Sequence, residues 1–253
     1  MTGLYIYGLM PEGQRAPQAS GIGAAMVETM LCGDLAALTS PAPVAVERTR
    51  RNMLAHTTVL EAALAGGTIL PLRFGTVAPG PAALQACVQA NRGAFHGALA
   101  SVRGRVELGL KACWHKGLVY NEIVEGNPLL RKLRDRLRIR PAAETYYERI
   151  ELGRRVEAAL AERRESETAA LIASLAKLHE RAAELRPADD DMIFNHAFLV
   201  RREMEADFDD AVSRLAERHS ERVAFRYVGP VPPFNFVALQ AGWLTGATPQ
   251  EHV

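Results

Sequence analysis

The chain has 253 residues, enough for one large domain or two of ordinary size, and 48% of them are hydrophobic against 23% charged. That balance belongs to a globular protein burying roughly 70–75% of its extended-chain surface, and it excludes disordered, collagen-like and disulfide-knot classes. Thirty Lys and Arg against 29 Asp and Glu leave a formal charge of +1, so no whole-molecule field attracts nucleic acid or an anionic membrane.

The opening MTGLYIYGLMPEGQ has no basic n-region, and its apolar run is too short for a signal peptide. Leu4 to Leu9 reads as a strand and Pro11 to Gly21 as a loop. Met26–Cys32 and Leu35–Ser40 flank Gly33-Asp34, the pattern of a hairpin. From Glu47 to Leu64, Met53, Thr57, Leu60 and Leu64 mark one face of a helix that stops at Gly66-Gly67. Ile69–Phe74 reads as a strand. Leu84, Val88, Phe95, Leu99 and Val102 predict a second helix between Pro81 and Gly104. Val106, Leu108, Leu110, Ala112 and Trp114 then alternate with polar or small residues, which predicts a half-buried strand.

Asn127 to Arg186 reads as helical with a break at Pro141. Leu171, Leu175, Leu178, Ala182 and Leu185 alternate steps of four and three, which fits a coiled-coil-like hairpin and an ordinary long amphipathic helix equally. Ile193–Val200 is a buried strand, Met204, Phe208, Val212 and Leu215 stripe a further helix, and Val223–Val228 is a last strand before a Pro-rich tail. The order of elements is α+β, with a boundary near Ser101–Arg105.

Sites of chemistry are scarce. Cys32, Cys87 and Cys113 are far apart and form no C-x-x-C pair, which suits three free thiols in a reducing cytoplasm. The seven histidines never fall in a metalloprotease spacing, and no phosphate loop or nucleophile elbow occurs. Asp189-Asp190-Asp191 lacks the spaced acids of a calcium loop and reads as a solvated turn. No metal, cofactor or catalytic residue is therefore expected. Two alternatives stay open: an enzyme that recruits Lys111, His115 and His196 into a pocket, and a nucleic-acid-binding regulator using the basic run Arg131–Arg140. That run also fits a solvated face tied up in ion pairs with the acids that follow it.

Two segments carry more information. Pro71-Leu72-Arg73-Phe74-Gly75-Thr76-Val77 sets a positive charge among apolar neighbours, where burial would demand a carboxylate or several carbonyls. Gly229-Pro230-Val231-Pro232-Pro233-Phe234-Asn235-Phe236-Val237 withholds three backbone donors and predicts a stiff arm leaving the sheet. Phe234, Phe236 and Val237 then need cover from their own domain or from a partner.

With the opening LYIYGL, the strand Glu107-Leu108-Gly109-Leu110-Lys111 and the strand Asn195-His196-Ala197-Phe198-Leu199-Val200, these segments resemble, in order and nearly end to end, the gas vesicle protein F/L family. Leu108 and Leu110 stand where the family usually has Trp and Val, and Val231 and Phe234 where it favours Trp and Tyr. The resemblance implies two domains, residues 1–104 as an N-terminal α+β domain and 105–228 as a modified ferredoxin-like domain with long helices, followed by a tail, 229–253. It also implies a non-enzymatic accessory protein that binds the major hydrophobic shell protein of the gas vesicle, works beside other accessory proteins, and uses no cofactor, nucleic acid or membrane. An apolar surface should cover the shell subunit before assembly. The leading contact candidates are Phe234, Phe236, Val237, Leu239 and Trp243, with Arg73 and Phe74 second.

Overall fold

A computed structural model describes residues 3–187 and 189–237. The chain divides into two compact units, residues up to 108 together with those from 229 on, and residues 109–228. The division falls inside two strands, β6 (Arg105–Trp114) and β9 (Val223–Val231).

In the first unit β1 (Leu4–Pro11) is the central strand, and residues 5–10 are all buried. It pairs antiparallel with β3 (Leu35–Pro41), which pairs in turn with β2 (Glu28–Cys32) across the Gly33-Asp34 turn. The other edge of β1 takes two short strands, β4 (Leu70–Pro71) opposite Gly8 and Leu9, and β5 (Val77–Ala78) opposite Leu4 and Tyr5. The predicted strand Ile69–Phe74 is thus reduced to two residues, because Pro71 cannot extend a ladder. Gly8 is required by this crossing: a Cβ there would lie 2.7 Å from the Leu70 carbonyl oxygen.

Side-chain alternation along β1 divides the core. Helix α1 (Arg50–Gly66), capped by Thr49 accepting from the Asn52 amide, lies on the Tyr5 and Tyr7 side. It buries His56, Val59, Leu60, Ala63 and Leu64, while Met53 is half exposed, so the buried face is rotated from the predicted one. On the other side Leu84, Val88, Phe95 and Leu99 join Ile6, Leu9, Leu35 and Leu70 in one cluster. These residues come from two helices, α2 (Pro81–Ala90) and α3 (Arg92–Val102), rather than the single predicted one. The break is at Asn91, whose side-chain amide donates to the Cys87 carbonyl and competes with helix continuation.

The second unit runs β6, three helices, β7, β8, α7, β9, with sheet order β7-β8-β6-β9. That is the β-α-β-β-α-β ferredoxin-like plan, its first helical connection enlarged to α4 (Leu118–Gly126), α5 (Pro128–Arg138) and α6 (Tyr146–Ala173). Strand β8 (Met192–Arg201) is buried along nearly its whole length, and α7 (Glu205–Arg218) buries the predicted Phe208, Val212 and Leu215.

The heptad-like run from Leu171 to Leu185 is not one helix. It crosses the end of α6, a turn closed by the Leu175 and Leu178 amides, and β7 (Arg181–Glu184), where Ala182 pairs with Phe198. Leu171 and Leu175 are buried as the helical reading required, but the later positions repeat the spacing by coincidence. Among the described residues no helix is long and apolar enough to cross a membrane.

Candidate functional site

The sequence segments singled out above meet one another in space. His56 on α1 stands between LYIYGL and PLRFGTV: its Nδ1 is 2.9 Å from the Tyr5 hydroxyl and its Nε2 3.1 Å from the Leu72 carbonyl. A carbonyl only accepts, so Nε2 carries the proton and Nδ1 accepts from Tyr5. The Tyr5 oxygen in turn accepts from the Gly75 amide at 3.1 Å. This relay closes the loop after β4 onto the central strand. Desolvation dominates its electrostatics, pushing the Tyr5 phenol up and His56 down to about 4. Phe74 packs edge-on against Tyr5 and His56, with ring centroids 6.2 and 5.7 Å away. Arg73 is exposed, so its charge is not desolvated by its apolar neighbours in sequence.

The tail has its own counterpart. Gly229, at φ +142°, brings the chain against β6, where a Cβ would stand 2.8 Å from Leu108 Cδ2 and 3.0 Å from the Glu107 carbonyl oxygen. Six residues on, Asn235 donates its backbone N–H (2.8 Å) and its Nδ2–H (2.6 Å) to the Glu107 carboxylate. Glu107 is 5% exposed, although strict alternation along β6 turns it outward. Burial raises its pKa, and the two bonds from Asn235 oppose that rise.

The contact candidates separate accordingly. Phe236 is buried, and Val237 packs partly buried against the Ile6 cluster. Phe234 is 38% exposed and Arg73 is exposed. Leu239 and Trp243 lie outside the described residues. The Glu107–Asn235 pairing was not anticipated, though its signal was visible: each is a lone hydrogen-bonding side chain in an apolar segment.

His115, His196 and the basic run each have close neighbours. The His115 ring meets the Ser220 carbonyl at 2.8 Å, and His196 lies between Phe194 and Phe198, with centroids 5.4 and 6.0 Å away. Burial pushes His196 down, and its Nδ1 is buried without a hydrogen-bond partner. In the basic run Arg134 pairs with Glu125 and Asp135, and both Arg136 and Arg140 pair with Glu148. No cluster of three or more His, Cys, Asp or Glu suited to a metal occurs among the described residues.

Sheet plan and packed segments define a two-unit α+β protein whose marked sequence features brace its own cores. Residues 3–238 match the family described as gas vesicle synthesis protein GvpL/GvpF, and the chain belongs to that family. It is 32% identical to gas vesicle protein F of a Streptomyces species, covering 92% of this chain and 98% of that one. It is 28% identical to gas vesicle protein L1 of Halobacterium salinarum over 76% of this chain and 72% of that protein. Two crystal structures have the same fold. GvpF from Anabaena superposes with a TM-score of 0.83 at 27% identity, covering 95% of this chain and all of that one. GvpF from Microcystis aeruginosa does so at 0.79 and 26%, covering 94% and all.

Proposed function

We propose that this protein is a non-catalytic accessory factor of gas vesicle formation, acting in the cytoplasm and at the growing vesicle. It binds the major shell protein and keeps it from aggregating until the subunit is incorporated. The observation that carries this reading is the nearly end-to-end kinship with proteins named gas vesicle protein F, in sequence and in fold. The physical need is plain, since a subunit built to repel water exposes an apolar face before assembly, and such faces self-associate unless covered.

Phe234 and Arg73 are the proposed contacts that reach solvent in the described conformation, with Phe74 beside Arg73. Phe236 and Val237 would hold the tail in place, while Leu239 and Trp243 would extend the surface.

Co-expression with the major shell protein, followed by co-purification, tests the reading. The full chain should retain the shell protein in the soluble fraction. Ending the chain after Val237 leaves Phe236 and Asn235 docked while removing Leu239 and Trp243, so loss of the complex with the body still folded places binding on the tail end. Phe234→Ser and Arg73→Glu examine the other two positions. Failure of the intact chain to bind or solubilise the shell protein would overturn direct chaperoning.

A further inference from the structure

The enlarged connection in the second unit does more than cross the sheet. The C-terminal half of α6 is fastened to the strands: Arg164 donates to the Met192 and Asp190 carbonyls, Thr168 to Ile193, and Trp114 to Glu167. Helix α5 contributes only Leu130 and Leu137 to the buried set. Yet residues 129–150 display Leu129 at 69% exposure, Ile139 at 85%, Tyr146 at 63%, Tyr147 at 83% and Ile150 at 44%. Of these, Leu129 and Tyr147 line one groove, and large apolar side chains left exposed side by side mark a contact surface.

Between α5 and the N-terminal half of α6 lies an open groove of about 550 Å³. Leu129, Leu133 and Tyr147 supply its apolar lining, and Lys132, Arg136 and Arg155 its cations. Leu129 and Leu133, one helical turn apart, form a ridge that suits a second helix laid alongside. Arg155 pairs with Glu151, but Arg136 and Arg140 share the single carboxylate of Glu148, and Lys132 makes no ion pair among the described residues. The groove lining therefore sets three cations against the two carboxylates of Glu148 and Glu151, a net excess of one positive charge, with Lys132 the cation that has no ion pair among the described residues. A second copy of this face would bring the same net positive charge, and a nucleic acid has no apolar stripe to cover Leu129, Leu133 and Tyr147.

We propose that the α5–α6 groove docks an amphipathic helix of another protein, its apolar stripe flanked by Asp and Glu. Exposed Tyr147 and Leu129 anchor the stripe, and Lys132 and Arg136 receive the acids. The proposal does not depend on which surface binds the shell protein, and its test uses no shell protein.

The probe is a fluorescein-labelled synthetic helix of about 18 residues, five turns long, with a Leu/Phe stripe edged by Glu. Two comparison peptides carry Lys in place of Glu, or the same composition with the stripe scrambled. Anisotropy with the full chain at about 50 mM salt should show the acidic peptide binding at least about tenfold tighter than either, and weakening as salt rises. Leu129→Ser with Tyr147→Ser should weaken it by about tenfold or more. Lys132→Glu should reduce both affinity and salt dependence, and Met26→Ser, exposed on the first unit, should change nothing. A benzophenone on the acidic peptide should cross-link unsubstituted protein within residues 129–155, a readout independent of any variant's folding. Equal binding of the acidic and Lys peptides, or cross-links elsewhere, would overturn the proposal. So would a dimer in sedimentation that Tyr147→Ser dissociates, because a second copy would then be the occupant.

Discussion

His56 is buried at 3% exposure with both ring nitrogens engaged, so folding requires its neutral form. Its pKa falls from 6.5 to about 4, so the stability it contributes is present above pH 6.5 and is lost as pH falls toward 4. The loss is up to about 3 kcal/mol, at 1.36 kcal/mol per unit. Urea unfolding of the parent and of His56→Gln across that window should show the decline in the parent only. Glu107 works in the opposite sense. Its folded pKa lies above the usual 4.5, so its contribution is greatest below that value and diminishes as pH rises through the folded pKa. Glu107→Ala strands the two donors of Asn235 and should cost about 1–3 kcal/mol, whereas Glu107→Gln keeps an acceptor and should cost less. Unfolding of the two variants at pH 7 checks that ranking.

Among the elements, the tail segment and α5 are the informative ones. Phe236 is buried, so Phe236→Ala should destabilise by about 3–5 kcal/mol, while exposed Phe234→Ala should stay within about 0.5 kcal/mol. Thermal melts of the pair distinguish a docked tail from a free arm. Helix α5 opens with Pro128 behind Asn127, whose side chain accepts from the Leu129 and Leu130 amides. Asn127→Ala should cost about 1 kcal/mol of local helix stability, seen as faster amide exchange confined to α5. Elements built on strong local signals matched their expected ranges: β1, the β2–β3 hairpin, β8 and α7. Those that differed lacked such signals. Strand β7, Arg-Ala-Ala-Glu, has no β-branched residue and exists because β8 offers it an edge, and the α2–α3 break rests on one side-chain amide.

At the scale of the whole molecule, the formal charge of +1 and the ion pairs of Arg134, Arg136 and Arg140 within the basic run oppose nucleic-acid binding. Affinity for a random duplex at physiological salt should be no tighter than the non-specific range of about 10⁻⁴–10⁻⁶ M, and Arg134→Glu with Arg138→Glu should leave it unchanged. Fluorescence anisotropy measures both. Tighter, steeply salt-dependent binding that this double variant abolishes would count against that expectation.

Periodicity alone determined the α+β class and most strands, because alternation of two and stripes of 3.6 are local consequences of which face is buried. The ordered segments LYIYGL, PLRFGTV and GPVPPFNF were also sufficient for the family resemblance. Only the tertiary structure decided what those segments do. Tyr5, His56 and Leu72 are far apart in the chain, as are Glu107 and Asn235, and no local pattern records which donor will meet which acceptor after collapse. Arg73 ended in solvent and Glu107 in the core, the reverse of their local readings. A side chain's charge state and exposure depend on what the fold brings against it, and that is set by packing rather than by its neighbours in sequence.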